Sequence, residues 1–288
     1  MTYRELYDRG VRTLEEAGLE EAKLDARLLL EFICSTDRTV LLAHPEHPVT
    51  EKEQEDYEEA LERRAGHIPL QYIIGSTEFM GLPFQVNPNV LIPRQDTETL
   101  VEEAMRDLCD GERLLDVGCG SGCILLSLLH YSNDCTGVAV DISEGALECA
   151  RENADLLART YEQDKTLPER VTFLKSDLLS HVEGSFDKIL SNPPYIASDV
   201  VKTLMPEVKD HEPMSALDGG KEGLDLYERL IPEAFEHLIP GGSLLVEIGY
   251  DQGKAVEELF TKAGFVRVEV IKDLSGNDRV VRGSRSLL

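Results

Sequence analysis

Asn192-Pro193-Pro194-Tyr195 follows the apolar run Phe186 to Leu190 and so falls where a buried strand ends. Two consecutive prolines fix their own φ, remove two backbone donors and push the residue before each towards extended geometry. Such a stiff turn leaves the Asn192 amide and the carbonyls of Asn192 and Pro193 directed at whatever occupies the strand end. An Asn side chain brings one acceptor and two donors, whereas the carbonyls bring acceptors only. That set suits a planar –NH2 group: the acceptors take its protons and the nitrogen lone pair faces outward. Tyr195 adds an aromatic wall on which a flat group can stack. These residues point to chemistry on an amide or amino nitrogen, although Pro-Pro by itself also marks turns without chemistry.

A second constellation lies upstream. Leu114-Leu115-Asp116-Val117 ends a strand and runs into Gly118-Cys119-Gly120-Ser121-Gly122, after which Ile124 to Leu129 continue as a helix. Glycines let the backbone approach a ligand closely, and the free N–H groups of a helix start attract negative groups. The spacing is GxGxG, and Cys123 breaks the GxGxxG pattern of a dinucleotide pyrophosphate site. Asp116, two residues before the first glycine, is also unexplained by a dinucleotide. Both features fit S-adenosylmethionine (SAM), which has no phosphate and calls for a carboxylate near its amino group. Asp141 ends the next strand about 25 residues later, placed to accept from both ribose hydroxyls. Asp177-Leu178, after a third strand, is placed to bond an adenine amino group and cover the ring. Three acids in this order fall along the carboxyl edge of the sheet, where open α/β folds bind ligands.

The elements that must position these residues alternate from 112 onward, as in a parallel α/β sheet. The pattern predicts strands at 113–117, 136–140, 171–175, 186–190, 243–248, 265–271 and near 279–282, and helices at about 121–130, 143–160, 225–238 and 252–263. Gly241-Gly242 and Gly264 supply turns between them. Residues 1–74 read as a helical bundle: Leu6, Val11, Leu14 and Leu24, Leu28, Leu29, Phe32 recur at helical spacing. Thr50 with Glu53 forms a capping box opening a helix over 51–65. Phe79, Leu82, Phe84 and Val86, then Val90 to Ile92, flank Asn87-Pro88-Asn89 and predict a hairpin linker over 75–95. A helix over about 97–109 then opens a domain of residues 96–288.

Bulk composition narrows the functions. The chain has 29 basic against 55 acidic residues, a net charge of −26. Gripping nucleic acid depends on Lys and Arg at phosphates, so a protein or small molecule is the expected substrate. No apolar run is long enough to span a membrane. The start lacks a basic region followed by an apolar core, and the six cysteines read as buried thiols of a cytoplasmic protein. Neither cysteines nor histidines show metal-ligand spacing.

With these residues in hand, the chain resembles class I SAM-dependent methyltransferases, and specifically the protein-(glutamine-N5) methyltransferases of peptide-chain release factors (the HemK/PrmC family). Beyond the two loops, the resemblance rests on Phe79 to Phe84 (FMGLPF), Val90 to Glu98 (VLIPRQDTE) and Glu212-Pro213, and on Ala216-Leu217, Gly219-Gly220 and Gly223-Leu224-Asp225. Further along it includes Glu247-Ile248-Gly249 with Gln252, and Asp273, Gly276 and Arg279. Met80 stands where the family often has Tyr, and Gln95 where it often has Pro. The resemblance implies a Rossmann-like sheet, mostly parallel with an antiparallel last strand, joined to a small helical domain that helps dock a protein substrate. It implies that Gly118 to Gly122, Asp141, Leu178 and Asn192 contact SAM or its product S-adenosylhomocysteine. Asn192, Pro193, Pro194 and Tyr195 would hold the target glutamine in the Gly-Gly-Gln motif of class I release factors. Arg94 reads as a structural ion-pair former.

Two other readings use the same residues. An amino-methyltransferase acting on a nucleic-acid base (adenine N6, cytosine N4 or guanine N2) meets the same physical problem with the same kind of turn, but lacks a basic recognition module here. A catalytically silent SAM-fold interaction protein would not need the Asp116, Asp141 and Asn192 set. An NAD-dependent oxidoreductase would need the glycine spacing that this loop lacks.

Overall fold

The computed structural model describes residues 1–288. The chain forms two units: Met1–Gly75 with Met205–His211, and Ser76–Leu204 with Glu212–Leu288. The first is helical, with helices at Tyr3–Glu16, Ala22–Ile33, Arg38–Ala43, Glu51–Ala65 and Leu70–Ile74. Leu6, Leu14, Leu29, Leu30, Tyr57 and Leu61 form its core. The capping box at Thr50 is present: Glu53 N–H donates to Thr50 Oγ1 at 3.2 Å, and Thr50 N–H to Glu53 Oε2 at 2.7 Å. Leu24 and Phe32 are exposed, because the second helix buries Ala22, Asp25, Ala26, Leu29 and Leu30 instead, a stripe that runs through small residues. Asp25 sits there to receive the buried Arg64, which also pairs with Glu207, each at 2.7 Å.

The second unit opens with a hairpin, β1 (Ser76–Phe79) and β2 (Leu82–Gln85). Its turn is Met80-Gly81, both at positive φ (52° and 72°), the two-residue geometry that matches strand twist. The hairpin therefore does not turn at Asn87-Pro88-Asn89, which forms a separate turn with Val90 N–H donating to the Asn87 carbonyl at 3.1 Å, and Val90 to Ile92 form no strand. Phe79 and Phe84, both buried, meet edge to face across the hairpin and fix the tighter register. Met80 is held from both sides: its N–H donates to Glu98 Oε1 at 2.7 Å and its carbonyl accepts from Tyr131 at 2.7 Å. A 3-10 turn, Gln95–Thr97, precedes a helix Glu98–Met105, shorter than the sequence suggested.

The sheet then assembles from β3 (Arg113–Val117), β4 (Thr136–Asp141), β5 (Val171–Lys175), β6 (Phe186–Ser191), β7 (Leu238–Glu247), β8 (Val266–Lys272) and β9 (Asp278–Ser284). Their order is β5-β4-β3-β6-β7-β9-β8, and β9 runs antiparallel to both neighbours. Successive strand residues face opposite sides. Leu114, Leu190, Leu245 and Val280 pack on one face, and Leu115, Ile189, Leu244 and Val281 on the other. Burial on both faces explains the continuous apolar runs. Gly241-Gly242 does not separate two elements. It lies inside β7, where the pairing with β6 shifts register between Phe186 and Lys188. No helix is long and apolar enough to cross a membrane.

Candidate active site

Chain order sends β3 to β4 and β5 on one side of the sheet and β6 to β7 on the other. The crevice beyond the carboxyl ends of β3 and β6 is the position where such sheets bind ligands. Val117 pairs with Ser191, whose hydroxyl donates to the Val117 carbonyl at 2.6 Å. Gly118 and Asn192 therefore leave the sheet side by side. A cavity of about 760 Å³ opens there, lined by Gly118, Cys119, Gly120, Ser121, Asp141, Asp177, Leu178, Asn192, Pro193 and Pro194, among others. That volume suits a small-molecule site.

The glycine loop spends most of its donors on the end of the neighbouring strand β4. Gly118 and Cys119 N–H both donate to the Val140 carbonyl, at 2.8 and 2.9 Å, and Gly120 N–H donates to Asp141 Oδ2 at 3.0 Å. The free N–H groups read from the sequence as an anion attractor are largely engaged in this way. Asp116 lies behind the loop and off the cavity wall, as does Gly122. Its Oδ2 accepts from Leu125 N–H at 3.3 Å, inside the following helix, and its Oδ1 is buried without a partner. Burial raises the Asp116 carboxyl to about 7, against the pull of the Leu125 N–H. Asp141 holds Gly120 and Ser143 N–H, one with each oxygen, and burial shifts it upward too. Asp177 is exposed and pairs with Arg229 at 2.9 Å, while Leu178, at φ 49°, turns into the wall.

The Asn192–Tyr195 turn is held by residues far away in sequence. Asn192 Nδ2 donates to Thr97 Oγ1 at 3.2 Å. Its Oδ1 receives no protein donor and is not among the buried unpaired atoms, so it is open to the cavity that Asn192 lines. The Pro193 carbonyl likewise accepts no backbone bond. Gln252 Nε2 donates to the Tyr195 and Gly223 carbonyls at 3.0 and 3.1 Å, clamping the end of the turn. Gly219 packs beneath it, where a Cβ would come within 2.6 Å of the Pro194 carbonyl. Tyr195 does not form the stacking wall expected of it. Its ring packs against the apolar core and its hydroxyl donates to Glu247 Oε1 at 3.4 Å, because a tyrosine ring is better buried and its hydroxyl better partnered there.

Three residues of this support were given no role by the sequence reading. Glu247 is 1% exposed; burial lifts its carboxyl to about 7, offset in part by the Thr97 hydroxyl and Arg279. Thr97 looks like a helix cap, yet its side chain caps nothing and accepts from Asn192 instead, a partnership that no local sequence signal announces. Glu212 is buried and takes the Ile92 N–H at 3.3 Å and Arg94 at 2.5 Å, so Arg94 is the ion-pair former it was read as.

The cavity offers mainly acceptors: Asp141, Asp177, Asn192 Oδ1 and the Pro193 carbonyl. Its arginines, Arg94 and Arg229, are engaged by carboxylates. Cβ atoms added to Gly118 or Gly120 would meet nothing within 4 Å, so the loop keeps open space beside it. Acceptors around an open cradle fit SAM, whose ammonium, ribose hydroxyls and adenine amine are donors, better than they fit a phosphate ligand.

Comparison with known proteins agrees. A family model described as the PrmC N-terminal domain matches residues 5–75, and one described as the methyltransferase small domain matches residues 95–208. A release factor glutamine methyltransferase of Clostridium botulinum is 39% identical over 99% of this chain and 100% of its own length. That of Moorella thermoacetica is 43% identical over 97% of each. Among solved structures, a methyltransferase from Pyrococcus furiosus aligns with a TM-score of 0.52 at 25% identity, over 72% of this chain and 91% of its own. The hMettl16 catalytic domain, at 15% identity and a TM-score of 0.56 over 83% of each chain, shares the fold alone. With about two residues in five shared along nearly its whole length, the chain belongs to the family of release factor glutamine methyltransferases.

Proposed function

We propose that this chain transfers a methyl group from SAM to the side-chain amide nitrogen (N5) of the glutamine in the Gly-Gly-Gln motif of class I peptide-chain release factors. One observation carries the reading: the Asn192 carboxamide stands beside the glycine loop with its nitrogen engaged by Thr97 and its oxygen open to the cavity. The printed names of relatives at 39% and 43% identity supply the substrate class. We place this activity in the cytoplasm, the compartment that the reading of the cysteines as free thiols implies.

When bound, SAM supplies a methyl carbon made electrophilic by its sulfonium. Gly118, Gly120, Asp141, Asp177 and Leu178 would hold it, with Asp116 supporting the loop from behind. On the other side, Asn192 Oδ1 and the Pro193 carbonyl accept the two amide protons of the target glutamine. An amide nitrogen is a weak nucleophile because its lone pair is delocalised into the carbonyl. Holding both protons in the amide plane leaves the out-of-plane electron pair unobstructed, and the two acceptors stabilise positive charge as it develops on nitrogen. Positioning supplies the larger share, up to about 7–11 kcal/mol for a well-oriented pair. These residues orient the amide, and once the nitrogen–carbon bond forms one of the two amide protons would leave the nitrogen through the acceptor that holds it, to water in the open cavity.

Incubating a purified class I release factor with this protein and SAM should add a single methyl, which tandem mass spectrometry will locate on the Gly-Gly-Gln glutamine. Methylation of another residue, or of none, would refute the assignment.

A further inference from the structure

We propose that Arg229 and Glu233, one turn apart on the helix Asp225–His237, are positioning residues that hold Leu178 in the wall of the cofactor cavity. The proposal rests on the reading of that cavity as the SAM site. The helix lies far along the chain from the segment after β5 that carries Leu178, yet it bonds that segment on both sides. The Arg229 guanidinium donates to Asp177 Oδ2 at 2.9 Å, across 52 residues of sequence. Leu179 N–H donates to Glu233 Oε2 at 3.2 Å, across 54. Residues four apart on a helix share a face, so one stripe reaches both chain neighbours of Leu178.

Leu178 needs such a hold. Its φ of 49° lies in the left-handed region, a conformation unfavourable for any residue with a Cβ. The segment is tied at its start, where Ser176 N–H donates to the Asp141 carbonyl at 3.0 Å, and it closes on itself through Ser180 N–H and the Asp177 carbonyl at 3.2 Å. Leu179 is anchored in the core, whereas Leu178 is half-buried and faces the cavity. Released from the helix, the backbone gains by relaxing towards negative φ, and that rotation carries the Leu178 side chain out of the wall. The two bonds do unequal work. Asp177 and Arg229 are both exposed, so their attraction is screened by solvent. Glu233 is half-buried and accepts from the backbone next to Leu178, so it carries the larger share.

Titration calorimetry with SAM and the full chain tests this. Glu233→Ala should weaken SAM binding by about fivefold to twentyfold, the worth of a hydrogen bond to a charged group. Its KM for SAM should rise in step, with kcat at saturating SAM and KM for a purified class I release factor within about twofold. Glu233→Gln keeps an oxygen for Leu179 N–H and should bind SAM within about threefold of the unaltered protein, a rescue that needs the acceptor and not the charge. Arg229→Ala should lose only about twofold to fivefold. Glycine takes a positive φ freely, so in a Leu178→Gly background Glu233→Ala should add less than about twofold. If Glu233→Ala does not fold, Arg229→Ala, at an exposed position, makes the same comparison against Leu178→Gly. Unchanged SAM affinity in the alanine variants, a glutamine variant as weak as alanine, full additivity with Leu178→Gly, or a fall in kcat as large as the loss of affinity would each overturn the proposal. An unaltered protein that binds no SAM removes the functional reading and this one together. Because calorimetry with SAM alone decides the matter whether or not a release factor is methylated, the two readings otherwise fail separately.

Discussion

The glycine loop and the Asn192–Tyr195 turn leave neighbouring strands side by side, but they are held in opposite ways. The loop closes on near partners: the Val140 carbonyl, Asp141 and the helix that follows. The turn depends on remote ones, with Thr97 95 residues before Asn192 and Gln252 57 residues beyond Tyr195. A cradle made by two adjacent parallel strands, β3 and β4, and the loop and helix between them is largely self-contained, whereas an orienting corner assembled from the whole sheet inherits every error in tertiary packing. Changes near the loop should therefore act on cofactor affinity. Changes around the turn should act on transfer, even when they lie far from the reacting atoms.

Four substitutions would break or sharpen that contrast. Asn192→Ala should have the largest effect, lowering single-turnover transfer by about a hundredfold to a thousandfold with SAM affinity within about threefold. A near-normal rate with labelled SAM would end its role. Gly120→Val forces a β-branched side chain to φ 54° and puts atoms beside the cradle. SAM affinity should fall by at least about tenfold, seen by calorimetry, given a backbone cost of roughly 1–3 kcal/mol. Unchanged binding would mean that the loop is not the cradle. Gln252→Ala releases two loop carbonyls, and kcat should drop by about tenfold while SAM binding holds. Equal losses in both quantities would erase the distinction between the two loops. Tyr195→Phe should change kcat by less than about threefold, since the ring stays buried and only the hydroxyl bond to Glu247 is lost.

The same contrast has a pH signature. Asp116 is raised by burial to about 7 in the folded chain, whereas the unfolded chain ionises in the ordinary carboxylate range. Its stabilising contribution is complete below that range and is lost as pH rises through about 7. Melting curves from about pH 5 to about pH 8 should show the protein losing on the order of 3 kcal/mol that Asp116→Asn does not lose. Parallel curves for the two proteins would mean that the carboxyl is not held protonated behind the loop.

The parts legible in the sequence are those decided locally. Alternating apolar runs and glycines located the strands, the loop and the acids at the strand ends, because a strand–loop–helix–strand unit, here β3 to β4, carries its own hydrogen-bond partners. The hairpin misled because Asn87-Pro88-Asn89 advertises a turn and Met80-Gly81 does not. The packing of Phe79 against Phe84 decided the matter from inside the core. Tyr195 misled for a similar reason, since its neighbour in sequence is the reactive Asn192 while its partner in space is Glu247. Thr97 was invisible because its partner lies most of a domain away, and no spacing rule links a helix-start threonine to a later asparagine.

The segment Met205–His211 groups with the N-terminal helices although it is flanked on both sides by residues of the sheet unit. Expression of a fragment beginning at Ser76 would strand this stretch, leaving Glu207 without the Arg64 guanidinium that neutralises it. The bundle made alone would keep Arg64 beside Asp25 with one of its two counter-charges missing. Dissection of the protein by a single cut is therefore a poor route to its parts, and a graft that carries 205–211 on a short linker to the bundle is the better one.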